Sequence, residues 1–494
     1  MIDNSVFPDQ TYVETVLAPL FDGVKTHFAD HMTTINRAHL VMLNETGILL
    51  PDQSREIARA LQAIETETDV AAQIYTGEYE DYFFFVEAEL KRRLGDLGGA
   101  LHTARSRNDM DHTLFKMALQ LKGEALLEQL NTLSQVLIEK AEKEADTLIV
   151  AYTHGQPAQP TTFGHYLAAI IEVLNRDCLR LNAALEVVDH CPMGAAAITT
   201  SGFPINRARM ADLLGFDQPT LNSYGSIASV DYVTGLYSAI KLAFLHLGRV
   251  VQDMAFWSSF EVGQLYVPNA LVQVSSIMPQ KRNPVPIEHM RHLASVTIGR
   301  CDMIMNTMHN TPFTDMNDSE GEVQQAGYGA FESGARMVAL LTAFLPACSI
   351  NTKNVARNTD AACITITELA DTLVRDEGLS FRQAHEIASV TARAVIDDQV
   401  SLSAGFQAFS AAFEAEVGRS SILTEDCFSD AVSAKVFVQR RDRLGGPSPA
   451  ALGHALSTYA GEVKALHALQ STRKSRRIDA NARLQTAFLS LTES

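Results

Sequence analysis

The chain has 494 residues, 46% of them hydrophobic and 20% charged, which excludes a disordered chain, a collagen or a coiled-coil rod as a reading of the whole. Length alone predicts two to four domains. The net charge of −18 repels phosphate backbones, so nucleic-acid binding is excluded except through a local basic patch; Arg473, Lys474, Arg476 and Arg477 form one, and a solvated helix end or tail is expected there.

The first residues, Met1 to Ser5, are polar and acidic and show no secretory signal. Shorter helices are predicted over 12–29, 38–45, 51–65 and 83–94. A segment rich in Leu, Ala, Glu and Lys follows, capped by Asp111 or Thr113 and running without proline to about residue 145. A second long segment, 162–188, is apolar over more than one narrow stripe, as a helix buried among helices is, and three more follow at 230–260, 286–308 and 322–344, each about twice the ~11–12-residue mean helix or longer. Five long helices separated by Gly-, Pro- and Ser-rich loops predict an elongated, all-α bundle. Strand signal is thin: the short β-prone run Ala197-Ile198-Thr199-Thr200 is not spaced for a sandwich or a wound sheet. Short helices broken by turns, such as Gly445-Gly446-Pro447, are expected over the last ~130 residues. The plan is thus small–large–small: an N-terminal helical domain (1–110), a central long-helix domain (111–360) and a small C-terminal helical domain with an extra tail (361–494). No apolar run approaches the ~20 residues that cross a bilayer. Six widely spaced cysteines without a C-x-x-C pair point to buried thiols in a reducing compartment, so a cytoplasmic location is expected, with no membrane and no nucleic-acid partner.

Three loops concentrate polar, reactive side chains. Residues 101–109 supply Arg105, Arg107, Asn108 and two hydroxyls just before a long helix, which suits a carboxylate; the same residues also suit a capping loop, with Ser106 or Asn108 as cap and Asp109 on the helix dipole. Residues 151–160 place His154 among turn formers, where it can exchange a proton near neutral pH or merely hold the turn. Residues 274–284 set Ser275 and Ser276 before Lys281, Arg282 and Asn283 in a Pro-bounded loop, a layout suited to a developing anion. It has neither the spacing of a phosphate loop nor that of a G-x-S-x-G elbow.

Ser275-Ser276-Ile277-Met278-Pro279-Gln280-Lys281-Arg282-Asn283-Pro284 resembles the signature loop of the aspartase/fumarase superfamily, and the other two loops match its two further signature regions in the same order. His102-Thr103-Ala104-Arg105-Ser106-Arg107-Asn108-Asp109, Tyr152-Thr153-His154 with Ala158-Gln159-Pro160, and the C-terminal Thr367 to Asp371 and Phe381 to His385 resemble the argininosuccinate lyase branch specifically. The likeness runs from about Thr11 to Ala455. It implies three mostly helical domains, a 20-helix homotetramer core, active sites shared by three subunits, and a small-molecule substrate.

The reaction so implied eliminates an amine or guanidine from an N-substituted aspartate and releases fumarate. Loss of the weakly acidic Cβ proton puts a second negative charge on the neighbouring carboxylate, so fixed donors away from water are required. By resemblance, Ser275 is the general base on a flexible loop, and Lys281 and Asn283 stabilise the dianion. Ser106, Arg107, Asn108, Thr153 and Ser276 hold the succinyl carboxylates, Gln159 touches substrate, and His154 pairs with Glu288 to assist proton transfer to the leaving nitrogen. No metal and no organic cofactor is implied.

The departures from that pattern fall on one half of the substrate. Ala104 and Val274 replace glycines, Met110 a glutamine, and Val285 an aspartate. Glu80-Asp81-Tyr82-Phe83 lacks the histidine of Glu-Asp-Ile-His. Gly225, Ser229 and Val230 have lost two Asp and an Arg. Residues 313–322 stand against Y-N-K-D-x-Q-E-D-K-E but lack its Tyr, its Gln and both Lys. Residues for the fumarate half are kept, whereas those expected to grip an arginine half are changed. The expectation is a carbon–nitrogen lyase whose amine need not be arginine; an aminopolycarboxylate lyase, of the type that splits ethylenediamine disuccinate, is the sharpest alternative. A crystallin-like, non-catalytic role is the alternative of another class.

Overall fold

In a computed structural model that describes residues 7–493, the N-terminal part folds into α1 (Ala18–His27), α2 (Ala29–Glu45), α3 (Pro51–Glu67) and α4 (Tyr82–Leu94). Met1 to Ser5 lie outside the described residues. Pro51 pre-sets the first turn of α3, and Asp81 opens α4 by accepting the Phe84 N–H at 3.1 Å. The helix expected from residue 38 begins at Ala29 instead, because Met32 and Ile35 are buried between the polar residues that hide the pattern. The first predicted helix opens with a π turn, Val13–Leu17.

All five long helices are present: α5 (Arg107–Lys143), α6 (Phe163–Val188), α7 (Asp231–Ser258), α8 (Val285–Thr307) and α9 (Gly321–Ala347). Each packs along its neighbours, and α9 closes back onto α5. Close approach is built into the sequence: a Cβ at Gly123 would lie 2.6 Å from Leu185, and one at Gly334 2.6 Å from the Phe244 ring. The cap of α5 is Ser106 rather than Asp111 or Thr113. Its Oγ accepts the Asn108 N–H while Asp109 accepts the Ser106 N–H at 2.9 Å, a capping box that starts the helix one turn early. With 37 residues, α5 spans about 55 Å.

Short strands mark the loops. β1 (Leu148–Thr153) and β2 (Gln156–Thr162) form an antiparallel hairpin with a register shift after Ala151, where only a loop was expected. Pro157 and Pro160 argued against a strand, but a two-stranded hairpin has only edges and tolerates them. β3 (Gln273–Val274) pairs with β4 (Arg282–Asn283). Residues 197–199 lie in a turn rather than a strand, and Thr200 follows it at φ 63°.

Helices between residues 352 and 439 surround a separate core that includes Leu373, Phe409, Phe413 and Phe428. The chain then returns along the bundle as α10 (Pro449–Glu493), 45 residues long, where short helices and a solvated tail were expected. Its buried stripe runs Leu452, Leu456, Val463, Leu466, Gln470, Arg473, Ala480, Leu484 and Phe488. The basic patch is docked: Arg473 donates to Glu124 at 3.1 Å and Arg477 at 2.7 Å, and Arg476 pairs with Asp189 and with Asp217. No helix is long and apolar enough to cross a membrane among the described residues. All six cysteines are unpaired, and only Cys427 is exposed.

Candidate active site

Helix direction sorts the candidate residues into two groups at opposite ends of the bundle. Ser106, Arg107 and Asn108 stand at the start of α5. Thr153, His154 and Gln159 belong to the hairpin that follows the end of α5, and Ser275, Ser276, Lys281, Asn283 and Glu288 to the loop between the end of α7 and the start of α8. Within one chain these groups are separated by roughly the length of α5, so a single chain does not bring them together.

At the first end the three residues line a cavity of about 540 Å³. Arg107 donates to Glu80 at 3.1 Å and pairs with Asp81 at 3.0 Å, and Asn108 donates to the Ala197 carbonyl at 3.0 Å. The Ser106 hydroxyl is engaged in the cap and donates to Asn108 Oδ1 at 3.1 Å. Arg105, the other arginine of this loop, turns away: it is 8% exposed, donates to Asn36 at 2.7 Å and lies over the Phe83 ring. Burial pulls its pKa down to about 10. Asp109 is buried beneath the loop, accepting the N–H groups of Gly194 at 2.8 Å and Ala196 at 3.0 Å; burial raises its pKa to about 6 against these donors.

Sequence reasoning did not assign the carboxylates of this cavity. Asp111 sits one helical turn beyond Arg107, and Asp315 and Glu320 enter from the approach to α9. Burial raises the pKa of Asp111 well above the ordinary value; Arg107 works against this, and Glu320, Asp81 and Asp315 add to it. The i, i+4 spacing from Arg107 was the available signal for Asp111; nothing local pointed to the other two. Phe313 lies outside the cavity, its ring 6.0 Å from that of Tyr224, while Asn317 lines it.

At the far end His154 occupies the turn of the hairpin. His154 (φ 54°) and Gly155 (φ 74°) both have positive φ, the requirement of a two-residue turn with this twist, and the imidazole is exposed at its tip. The β3–β4 pair closes the loop 275–281, so that Ser275 and Lys281 directly flank its base. The Ser275 Oγ accepts the Met278 N–H at 3.1 Å and the Ile277 N–H at 3.4 Å. Glu288 lies exposed in the first turn of α8, and among the described residues no hydrogen bond or ion pair joins it to His154. Val274 is 73% and Ile277 83% exposed, an apolar surface that a single chain leaves uncovered.

A family model described as Lyase matches residues 25–299, and one described as Argininosuccinate lyase C-terminal matches residues 363–437. The chain is 55% identical to argininosuccinate lyase 2 of Agrobacterium fabrum, over 99% of this chain and 98% of that one. It is 32% identical to argininosuccinate lyase of Methanosphaera stadtmanae, over 85% and 90% respectively. Among solved structures, EDDS lyase in complex with formate superposes with a TM-score of 0.83 at 27% identity, covering 98% of this chain and 99% of that one. A variant of the same enzyme with bound fumarate gives the same values.

Proposed function

This chain belongs to the argininosuccinate lyase branch of the aspartase/fumarase superfamily, and from that premise we propose that Ser275 initiates its reaction in a site assembled from several copies of the chain. The protein is a carbon–nitrogen lyase that releases fumarate from a small-molecule substrate. The remaining assignments extend that statement to residues, assembly and substrate.

The Ser275 oxygen removes the Cβ proton, the C–H pair forms the fumarate double bond, and the C–N bond breaks with its electrons going to nitrogen. A serine can act as base only if its anion is stabilised, and the Met278 and Ile277 N–H groups already point at Oγ. Lys281 and Asn283, at the opposite side of the same loop, hold the doubly charged carboxylate. Arg107, kept in place by Glu80 and Asp81, takes the succinyl carboxylates with Ser106, Asn108, Thr153 and Ser276. Gln159 contacts substrate, and His154 with Glu288 passes a proton to the departing nitrogen. Closure of loop 275–281 excludes water.

Because the Arg107 group and the Ser275 group stand at opposite ends of one chain, the site is shared between subunits. A homotetramer built on the five long helices, each site fed by three chains, supplies the missing contacts and covers Val274 and Ile277. The unpaired cysteines support a cytoplasmic location. The amine half need not be arginine in this reading; an aminopolycarboxylate related to EDDS is the second candidate, supported by the fold likeness to that lyase.

The observation that carries the catalytic assignment is the loop 275–281, which brings a hydroxyl already held by N–H donors beside a lysine. The test is direct: fumarate absorbance is followed with argininosuccinate, ethylenediamine disuccinate and other N-substituted aspartates. Rapid turnover of argininosuccinate defeats the altered-amine reading. A wild type as inert as Ser275→Ala on every substrate defeats the catalytic assignment.

A further inference from the structure

The share of the site that one chain contributes at the start of α5 carries more carboxylates than holding fumarate requires, even when the single lysine that another subunit brings in the reading above is counted. Arg107 is the one Lys or Arg among its described lining residues, and Glu80 and Asp81 already pair with it. Asp111, Asp315, Glu320 and Glu322 remain; among the described residues none of them forms an ion pair with a lysine or arginine, and Arg107 acts on Asp111 and Glu320 only through space, against the combined charge of the other carboxylates. Apolar side chains line the rest of it: Leu20, Val24 and Phe28, and, on α5 itself one turn beyond Asp111, Leu114 and Phe115.

A second observation comes from behind the cavity. His112 is 1% exposed, and its Nδ1 is bonded to the Tyr232 hydroxyl at 3.1 Å. Its Nε2 has no hydrogen-bond partner and faces Asp315 Oδ1 3.7 Å away; that oxygen is also buried and unpartnered. When Tyr232 donates to Nδ1, Nε2 carries the ring proton, and a donor and an acceptor stand just beyond bonding distance. A positive group attracted to Asp315 from the cavity side gives the pair a reason to close, with His112 donating to Oδ1 and orienting the carboxylate. No three described His, Cys, Asp or Glu side chains are grouped as a metal ion would need, so the expected cation is organic.

We propose that Asp111, Asp315 and Glu320 form the subsite for the leaving amine, and that the preferred substrate is an aspartate N-substituted by an apolar chain ending in a second protonated nitrogen, a diamine or polyamine type. The inference rests on the fumarate-releasing reading above and names the missing half of its substrate. Arg107 keeps the succinyl carboxylates at the mouth, the apolar lining takes the methylene chain, and the carboxylates take the distal cation. An amine half with its own carboxylate meets like charges there, which selects against it. Burial and its acidic neighbours hold the Asp111 pKa up, and a bound cation favours its ionised form.

The test uses the full-length wild-type assembly and three synthetic aspartates, N-substituted by a four-carbon diamine, by butylamine and by the matching ω-amino acid. Fumarate release is read for each, with argininosuccinate alongside. The diamine derivative is expected to exceed the butylamine derivative by roughly tenfold or more in kcat/KM, chiefly through KM, and the ω-amino acid derivative to be poorest. Asp315→Asn is expected to lower the diamine-to-butylamine preference about tenfold, and His112→Gln to lower it less, through KM. Equal turnover of diamine and butylamine derivatives, or preference for the ω-amino acid, overturns the subsite while leaving the lyase reading intact. An Asp315→Asn variant that loses assembly and slows every substrate alike also overturns it, by assigning the carboxylate to a subunit contact. Fumarate release from none of the compounds by the wild type overturns both readings.

Discussion

The Met278 backbone N–H donates to the Ser275 hydroxyl oxygen at 3.1 Å, so the loop stabilises negative charge on that oxygen before any substrate arrives. Ser275→Ala is expected to lower kcat by about a thousandfold or more. Among the described residues Ser275 bonds only to N–H groups of its own exposed loop, so thermal unfolding of the variant should match the wild type. Fumarate release and a melting curve on the same preparation check both halves. A loss below tenfold at unchanged stability would remove Ser275 as the base.

Separation of the two groups by the length of α5 leads to a mixing experiment. Arg107→Ala and Ser275→Ala each spoil a different end of every chain. If a site draws Arg107 and Ser275 from different chains, random assembly of an equal mixture leaves about a quarter of sites with both intact. Co-refolding the two inactive variants should therefore restore roughly a quarter of wild-type activity, whereas each refolded alone stays inactive. Failure of the mixture to exceed its parents, with mixed assembly shown by native mass spectrometry, would place both residues in one chain's site.

The five long helices were legible because their apolar residues recur over whole turns, and their observed ends differ by only a few residues where caps compete. The cap of α5 shows the competition: Asp111 and Thr113 are good capping types, but Ser106 and Asp109 satisfy each other first. α10 was not legible because Gln470 and Arg473 interrupt its buried stripe with polar side chains whose partners, Asn131 and Glu124, are over 300 residues away in sequence. The signature loops carry Ser275, Lys281 and His154, whose roles come from the family resemblance, whereas Glu288 lies beyond them in the first turn of α8. The division of those loops between two ends was invisible, since spacing along a chain carries no information about which way an intervening helix runs. The pairing of His112 with Asp315 was hidden for the same reason: the residues meet only after α9 folds back on α5.

Glu124 holds both Arg473 and Arg477, and all three side chains are largely buried between α5 and α10. Removing the carboxylate leaves two guanidinium groups with lost desolvation and no compensation. Glu124→Ala is expected to cost about 3 kcal/mol of stability, the lower part of the range for breaking a buried pair. Denaturant unfolding checks the value, and limited proteolysis should cut within residues 449–493 sooner than in wild type. A change below 0.5 kcal/mol, the size of an ordinary surface substitution, would mean that the apolar stripe alone docks α10.

His39 lies buried beneath the loop that presents Arg107, with Nε2 2.9 Å from the Thr103 carbonyl. Burial, and then the neighbouring Arg105 and His102, hold its pKa down to about 3, while the Thr103 contact works against them. The unfolded chain takes up a proton on this residue near pH 6.5, whereas the folded protein does not until near pH 3. Stability is therefore full above about pH 6.5 and falls as the solution is acidified toward pH 3. The folded state pays about 2 kcal/mol by pH 5 on this account. Asp109 acts in the opposite sense, since burial raises its pKa to about 6 and acidification relieves its charge. Comparing wild type with His39→Gln, which keeps a donor for Thr103 and does not titrate, isolates the histidine from Asp109. Moving from about pH 7.5 to pH 5 should improve the stability of His39→Gln relative to wild type by about 2 kcal/mol in matched denaturant titrations. Parallel pH dependences for the two proteins would show that His39 is protonated in the folded state and that the loop carrying Arg107 tolerates the charge.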